Sequence, residues 1–166
     1  RSRGLGDVYK RQDNLHHAED ILKRAQEDVA RLYGVPESFY SINGSSGAIL
    51  AAVSAAVDKG GQILVARNCH KAVYHAIYLR ELSATYIYPH EDPKLGINGG
   101  ISPERVERYL EENTDVQAFL LTSPTYDGVV SDIKTIAEVV HRHKIPLIVD
   151  EAHGAHLPYL SLIHIS

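Results

Sequence analysis

The sequence predicts an α/β protein, with a doubly wound, mostly parallel sheet and helices on both faces. Two observations lead to this expectation. Segments with apolar residues at helical spacing alternate with short apolar runs, which are typical of strands buried on both faces. The helical segments are about 10 to 15 residues long, the length that connects successive parallel strands.

The first helix is predicted over residues 18–33, because apolar side chains recur there three and four residues apart. These positions are Ile21, Leu22, Ala25, Val29 and Leu32. Gly34 follows and ends the helix. A short strand is expected over residues 38–42, where two aromatic residues precede an isoleucine.

The next elements alternate in the same way. After Asn43-Gly44-Ser45-Ser46-Gly47, a small-residue apolar helix is predicted over 48–57 and is ended by Lys59-Gly60-Gly61. A strand over 63–65, a helix over 71–82 and a strand over 85–88 follow, the last closed by a proline.

A polar, Gly-rich connection over residues 91–100 precedes the second half. Ser102 and Pro103 open a helix, as N-cap and first helical residue. A strand over 117–122, a helix over 132–143 and a strand over 146–150 complete the pattern. Right-handed crossovers would place the carboxyl ends of all these strands at one edge of the sheet.

Composition excludes several classes of protein. The chain has 166 residues, 44% of them hydrophobic, so it can form a core and is not a disordered tail. The net charge is −4 and no basic block occurs, which argues against nucleic acid as a partner. No apolar run reaches the roughly 18 residues of a membrane span, and one cysteine fits the reducing cytoplasm.

The two ends of the chain have an unusual relationship. Residues 7–12 can be encoded by GAT GTG TAT AAG AGA CAG, and the reverse complement of that word encodes residues 160–165. The word resembles the transposon end used to prepare sequencing libraries. We therefore expect residues 1–12 and 160–166 to be adapter-derived and residues 13–159 to be the native segment. The absence of methionine agrees with an internal, metagenomic piece of a longer protein.

The predicted topology brings the most chemically varied stretches together at the carboxyl edge of the sheet. These stretches are residues 43–47, 67–70, 123–128 and 150–156. Ligand sites of open α/β sheets lie at this edge. The coincidence is the main reason to expect an enzyme.

The segment Gly44-Ser45-Ser46-Gly47 has two interpretations. Exposed amides at a helix start, two hydroxyls and close backbone approach would suit a phosphate group. An ordinary helix cap with turn glycines would have the same composition. It is not a P-loop, because no Gly-Lys-Ser/Thr follows.

Asp150 ends a buried strand and precedes two histidines. An aspartate in this position can hold a cationic ring nitrogen or, with His153 and His156, a zinc or iron ion. An N-capping aspartate beside solvent-exposed histidines is the simpler alternative. These readings stay open on the residues alone.

The stretch Arg67-Asn68-Cys69-His70-Lys71 leads from a strand into a helix. The imidazole of His70 could stack on a flat cofactor or cap the helix. Cys69 reads as a small buried side chain rather than a nucleophile. Lys71 has the chemistry of a Schiff-base lysine, but solvation is the expected state at a helix start.

Five segments taken together, in this order, resemble the pyridoxal-phosphate-dependent ornithine/lysine/arginine decarboxylases of aminotransferase-like fold (fold type I). They cover nearly all of residues 13–159, and the likeness is nearer to the compact bacterial branch with Asp-Glu-Ala-His-Gly-Ala-His. The segments are residues 13–17, 43–47, 67–71, 122–128 and 149–156.

The resemblance implies pyridoxal 5'-phosphate as cofactor and a role for each matching position. Asp150 would pair with the ring nitrogen, while His70 and Ala152 would lie on the two faces of the ring. His153 would act in proton transfer or support the site, and Thr125 would help to shape it together with Tyr126. The implied cofactor-binding set is Gly44, Ser45, Ser46, Gly47, His70, Thr125, Asp150, Ala152 and His153, with His70, Asp150 and His153 as catalytic residues and no metal.

The resemblance further implies a basic amino acid as substrate, a polyamine-pathway amine as product and a homodimer or larger homo-oligomer. The Schiff-base lysine of the family lies in a Ser-x-His-Lys motif beyond the aspartate strand, and this motif does not occur in the sequence. We therefore expect the 166-residue chain to be inactive by itself. Another fold type I enzyme, an aminotransferase or lyase, a metal-dependent hydrolase, and a non-catalytic regulator remain as alternatives.

Overall fold

The structure, a computed structural model, describes residues 13–15 and 17–157. Residues 1–12 and 160–166, which we expect to be adapter-derived, lie outside the described residues. The chain forms two compact units, Arg1–Ile42 and Asn43–Ser166.

The first unit contains helix α1, Ile21–Tyr33, which ends at Gly34 in the left-handed conformation with φ +65°. Its start is held by Asp13, whose carboxylate accepts hydrogen bonds from the amides of Glu19 (3.1 Å) and Leu22 (2.8 Å). The residue at the N-cap itself, Asp20, makes no capping bond with its side chain. The Asp13 carboxylate therefore caps the amino end of α1, although Asp13 lies several residues before the helix.

The strand expected over residues 38–42 is wrong, because these residues adopt no regular structure. Instead of pairing with a strand, the segment returns to α1: the Ser38 hydroxyl donates to the Gln26 carbonyl oxygen at 2.6 Å. Phe39 is 79% exposed and Ile42 is 77% exposed. The apolar side chains that suggested a strand are therefore not buried by one.

The second unit has four helices and six strands in the described part of the chain. The helices are α2 (Gly44–Ala56), α3 (Lys71–Leu79), α4 (Pro103–Glu112) and α5 (Ile133–Arg142). The strands are β1 (Gln62–Ala66), β2 (Ser83–Ile87), β3 (Glu91–Asp92), β4 (Ile97–Asn98), β5 (Val116–Thr122) and β6 (Leu147–Asp150). Apart from the start of α2, four residues earlier than expected, most bounds lie within a few residues of the prediction.

Four of the strands form a parallel sheet in the order β2-β1-β5-β6. The predicted doubly wound, parallel α/β fold is confirmed. At the carboxyl ends of the last two strands, Thr122 lies opposite Asp150. The carboxyl ends of β1, β5 and β6 are thus adjacent.

Both faces of the sheet are buried, which explains the continuous apolar runs in the strands. Alternate residues of β1 point to opposite sides: Leu64 and Ala66 pack with α4 and α5, whereas Ile63 and Val65 pack with α2 and α3. Because successive side chains of a strand point to opposite faces, one apolar run contributes to both cores.

The helix starts in the second half follow the sequence signals. Ser102 Oγ accepts from the Arg105 amide at 3.3 Å, and Pro103 is the first helical residue. Asp132 Oδ1 accepts from the Thr135 amide at 3.1 Å at the start of α5. Both caps satisfy amides that the helix leaves without partners.

The polar connection before Ser102 contains a small hairpin that was not predicted. Strands β3 and β4 pair antiparallel across a turn, in which Asp92 Oδ1 accepts from the amides of Lys94 (2.8 Å) and Leu95 (3.1 Å). Two residue pairs are too few to give a periodic signal in the sequence.

No helix in the described ranges has both the length and the apolar character needed to cross a membrane.

Candidate cofactor site at the carboxyl edge of the sheet

Three of the four predicted stretches follow adjacent parallel strands, so the fold brings them to one edge. The fourth, at the start of α2, is placed there by the direction of the helix. The end of α2 lies at the opposite edge, because the Asp58 amide donates to Gln117 Oε1 at the beginning of β5 (2.9 Å). A helix of 13 residues extends about 20 Å, so its first turn reaches back toward the carboxyl edge.

Asp150 is the last residue of β6 and is 7% exposed. Its Oδ1 accepts one hydrogen bond, from the Ala152 amide at 3.1 Å. Within residues 13–15 and 17–157, no basic side chain forms an ion pair with it. A buried carboxylate with so little compensation costs stability, and this cost is typical of a group kept for binding or catalysis.

The turn after β6 presents Ala152 and His153 to solvent, as a ligand site requires. Gly154, by contrast, is buried against the loop after β5: a Cβ on Gly154 would lie 2.2 Å from Pro124 Cδ. Only a glycine lets the two loops approach this closely. The turn after Asp150 thus packs closely against the loop after β5.

The loop after β5 is closed around Thr125, which is 8% exposed. Its amide donates to the Val129 carbonyl oxygen at 2.9 Å, and its Oγ1 accepts from the Val129 amide at 3.1 Å. The next residue, Tyr126, is 87% exposed and meets the His153 ring edge-on at 5.7 Å between centroids. Thr125 therefore shapes the loop from within, while Tyr126 and His153 stand together on its outer side.

The segment Gly44-Ser45-Ser46-Gly47 forms the first turn of α2, not a loop between a strand and a helix. Gly44 has φ +63°, a conformation that favours glycine. The residue before it, Asn43, makes no capping bond with its side chain. Ser45 is exposed and Ser46 is half-buried. The first amides of α2 are therefore open to an anion.

His70 caps α3: its Nδ1 accepts from the Ala72 amide at 3.2 Å. An accepting Nδ1 leaves the proton of the neutral ring on Nε2 and fixes the ring orientation. The ring is exposed. The sequence left open whether the His70 ring caps the helix or stacks on a cofactor. In the structure the ring caps α3 and is still exposed.

The neighbours of His70 have no evident role as reacting groups. Cys69 is half-buried, and burial raises the pKa of its thiol above the ordinary value. A thiol with a raised pKa is a poor nucleophile at neutral pH. Lys71 is the exposed first residue of α3.

Two further polar atoms at this edge have no hydrogen-bond partner although they are buried. They are Asn68 Oδ1, in the turn after β1, and Thr122 Oγ1, opposite Asp150 at the end of β5. Sequence reasoning assigned no role to either atom. No sequence signal could have found them, because burial and missing partners are properties of the packed structure.

The structure does not support the alternative of a metal site. Among residues 13–15 and 17–157, no three His, Cys, Asp or Glu side chains lie close enough to hold a metal ion. Asp150, His153 and His156 all belong to this range. Asp150 is buried under the turn, whereas both histidines are exposed on it.

A separate groove lies within the first unit, between α1 and the segment after it. Gln26, Arg31 and Phe39 are among its lining residues. None of the predicted site residues lines it.

Comparison with known proteins identifies the family. The family model described as "Orn/Lys/Arg decarboxylase, major domain" matches residues 5–165. An arginine decarboxylase from Halalkalibacterium halodurans is 39% identical over 154 residues, which are 93% of this chain and 31% of the relative. The constitutive lysine decarboxylase of Escherichia coli is 27% identical over 124 residues, 70% of this chain and 17% of the relative.

Solved structures agree on the fold. N-succinyldiaminopimelate aminotransferase from Mycobacterium tuberculosis matches with a TM-score of 0.61 at 21% identity, over 78% of this chain and 35% of its own. Cystalysin from Treponema denticola, whose structure contains pyridoxal 5'-phosphate, matches with a TM-score of 0.55 at 20% identity, over 65% and 27%. The fold is therefore that of the aminotransferase-like, fold type I enzymes.

The chain spans less than a third of the length of the arginine decarboxylase that it resembles. The family match nevertheless extends over nearly all of its residues. Since the motifs, the parallel sheet and the family match agree, this chain belongs to the Orn/Lys/Arg decarboxylase family and matches the model of its major domain.

Proposed function

We propose that this chain is the cofactor-binding part of a pyridoxal-phosphate-dependent decarboxylase acting on arginine, lysine or ornithine. The observation that carries the proposal is the buried, unpaired carboxylate of Asp150 at the carboxyl edge of the sheet. The family and the names of the relatives, arginine and lysine decarboxylases, support the reaction and the substrate class.

The cofactor is pyridoxal 5'-phosphate, and the residues present fit it. The ring needs an anionic partner for its protonated nitrogen, and Asp150 is a buried carboxylate without a cation among the described side chains. The phosphate needs donors, which the open first turn of α2 offers. The unpartnered atoms Asn68 Oδ1 and Thr122 Oγ1 show that this edge has unused hydrogen-bonding capacity.

In this proposal, different groups of the chain bind the phosphate and the ring of the cofactor. Gly44, Ser45, Ser46 and Gly47 hold the phosphate through backbone amides and hydroxyls. His70 offers its exposed ring to one face of the cofactor, with the orientation set by the bond from the Ala72 amide. These contacts fix the position of the cofactor at the sheet edge.

The remaining groups act on the ring nitrogen and the outer face of the site. Asp150 would keep a proton on the ring nitrogen, because its buried charge favours a cationic ring. Ala152 would lie on the other ring face, while Thr125 holds the adjoining loop. His153, on the exposed side of the turn, would move a proton at the substrate.

When bound, pyridoxal phosphate supplies an electron sink for the carbanion that remains after loss of the α-carboxyl group. The protein must keep that sink protonated. Asp150 is the group in this chain placed to do so.

The properties of the whole protein belong to the same proposal. The full enzyme releases an amine of the polyamine pathway, acts as a homodimer or larger homo-oligomer and works in the cytoplasm. Residues 13–159 are its native segment here. The lysine that binds the cofactor covalently lies in a Ser-x-His-Lys motif, which the 166 residues do not contain.

The deciding experiment uses the full-length parent, obtained by recovering the sequence that flanks residues 13–159. The purified protein is supplied with pyridoxal phosphate and with arginine, lysine or ornithine in turn. We expect release of CO2 together with the corresponding amine from one of the three. A 2-oxo acid as product would identify an aminotransferase instead, and a stoichiometric metal by elemental analysis would identify a hydrolase.

A pair of aspartate variants tests the role of the buried Asp150 carboxylate, on which the proposal rests. Asp150→Asn should lower turnover by roughly 100-fold or more, because the ring proton loses its anionic partner. The control is Asp115→Asn, an exposed aspartate just before β5 at the opposite edge, which should have no effect. Equal turnover in both variants would contradict the role of Asp150.

A further inference from the structure

A cluster of aromatic and polar side chains holds the turn that leads to His70. Its centre is Tyr74, a half-buried residue in the second turn of α3. The Tyr74 hydroxyl donates to the Arg67 carbonyl oxygen at 2.8 Å and accepts from the Arg67 guanidinium. One hydroxyl thus contacts both the backbone and the side chain of Arg67, the first residue of the four-residue turn 67–70.

The Arg67 guanidinium itself lies beside two aromatic rings. Its central carbon lies 5.4 Å from the centroid of Tyr74 and 5.6 Å from that of Tyr86. The two tyrosine rings stack on each other at 6.2 Å. Such cation–π contacts hold an exposed arginine in one place without an acidic partner.

The turn is fixed at its other points by the backbone. The Arg67 amide donates to the Ile87 carbonyl oxygen at 2.9 Å, and the Cys69 amide donates to the Ala66 carbonyl oxygen at 3.1 Å. His70 comes next and is tied to the start of α3 by the bond from the Ala72 amide. Tyr74 is the α3 side chain that bonds to Arg67 at the start of the turn.

We propose that Tyr74 is a positioning residue: its hydroxyl fixes the 67–70 turn and thereby sets the orientation in which His70 meets the cofactor ring. The proposal rests on the proposed function for the role of His70. The part that concerns the turn itself does not need the cofactor. The two parts are therefore tested separately.

The first test uses the thiol of Cys69, the one cysteine of the sequence, as a reporter in the 166-residue chain. Tyr74→Phe removes the hydroxyl and keeps the ring that stacks on Tyr86. If the hydroxyl holds the turn, its loss should raise the rate of reaction with a disulfide reagent such as DTNB roughly tenfold, since a local opening becomes about 1.4 kcal/mol easier.

A hydroxyl that does not hold the turn predicts no faster reaction. Cys69 is half-buried, and burial raises the pKa of its thiol. Removing the hydroxyl from an unmoved turn would leave this burial in place, and the thiol would react no faster than in the unchanged chain. A rate that falls or stays the same therefore overturns the proposal.

The matched control is Tyr78→Phe, on the same helix, whose side chain is 82% exposed. It should leave the thiol rate and the urea unfolding midpoint at the values of the unchanged chain. Tyr74→Phe should also keep that midpoint close to the original, because its ring contacts remain. If Tyr74→Phe unfolds the chain, Tyr74→Trp, which keeps an aromatic ring but lacks the hydroxyl, takes its place in the same assay.

The second test addresses His70 and the cofactor. In the 166-residue chain, nitrogen NMR should show His70 with its proton on Nε2, and Tyr74→Phe should shift these signals, whereas Tyr78→Phe should not. In the full-length parent, Tyr74→Phe should weaken the binding of pyridoxal phosphate, measured by absorbance titration, several-fold. Unchanged His70 signals or unchanged cofactor affinity would overturn the role in positioning. A parent that binds no pyridoxal phosphate would overturn the proposed function instead.

Discussion

Gly154 and Pro124 lie in direct contact, and a Cβ added to Gly154 would be 2.2 Å from Pro124 Cδ and 2.9 Å from Cγ. This contact joins the turn after β6 to the loop after β5. Asp150 precedes the first and Thr125 belongs to the second. The lack of a side chain on Gly154 thus lets these two loops of the candidate site pack against each other.

Gly154→Ala should therefore destabilise the chain by roughly 1–3 kcal/mol, because the loops must separate to admit the methyl group. Urea unfolding measures the loss. The control is Gly100→Ala, where the added carbon would meet its nearest neighbour, Ser131 Oγ, at an ordinary 3.4 Å. Equal stability of the two variants would show that the loops are free to move apart.

Asp150→Asn should leave the free energy of unfolding unchanged or raise it by about 1 kcal/mol. The amide keeps an oxygen for the Ala152 N–H and removes a buried charge that has little compensation. Urea unfolding at neutral pH is the measurement. Asp132→Ala provides the contrast, since that side chain caps α5 and its loss should cost about 1 kcal/mol. A clear loss of stability in Asp150→Asn would mean that the carboxylate is structural.

The start of α1 should depend on pH through Asp13. Bonds from backbone amides, that of Glu19 foremost, lower the pKa of Asp13 to about 2. Because the folded value lies below the unfolded value of about 3.9, the stabilisation is complete above about pH 4 and is lost as the pH falls through about 2. Carbon NMR of the Asp13 carboxyl group follows the titration directly.

The matched variants for this prediction are Asp13→Ala and Asp28→Asn. The first should speed hydrogen exchange of the Leu22 amide at neutral pH, since that amide loses its acceptor. The second changes an exposed aspartate paired with Arg31 in the same helix and should not affect Leu22. A titration midpoint near 4 for Asp13 would show that these bonds do not persist in solution.

The 166-residue chain should release no CO2 from arginine, lysine or ornithine. None of its lysines stands in a Ser-x-His-Lys context, the one to which the proposed function assigns covalent attachment of the cofactor. The assay compares the chain plus pyridoxal phosphate with pyridoxal phosphate alone. Release above that background would show that one of its own lysines, Lys71 first among them, serves instead.

Much of the architecture follows from local patterns. The spacing of Ile21, Leu22, Ala25, Val29 and Leu32 predicted α1, and Ser102-Pro103 predicted the first residue of α4. The short apolar strands predicted a parallel sheet, which the order β2-β1-β5-β6 confirms. These signals work because propensity, capping and periodicity act over a few residues.

The errors have an equally physical origin. Residues 38–42 have the composition of a strand, but they return to α1 and pair with no strand. Ala48 was expected to begin α2, yet the helix starts at Gly44, whose φ of +63° a glycine adopts without strain. Propensity is a weak guide where tertiary contacts offer another partner.

By itself, the sequence predicted most of the elements in their order, the sheet edge of the candidate site and the resemblance to the family, because motifs and periodicity are properties of consecutive residues. The tertiary structure decided the surroundings of the candidate site residues. It buried Asp150 without an ion pair, left Asn68 Oδ1 and Thr122 Oγ1 without partners and kept Asp150, His153 and His156 from forming a metal group. Burial and hydrogen-bond partners depend on residues far apart in the chain, so only the packed molecule reveals them.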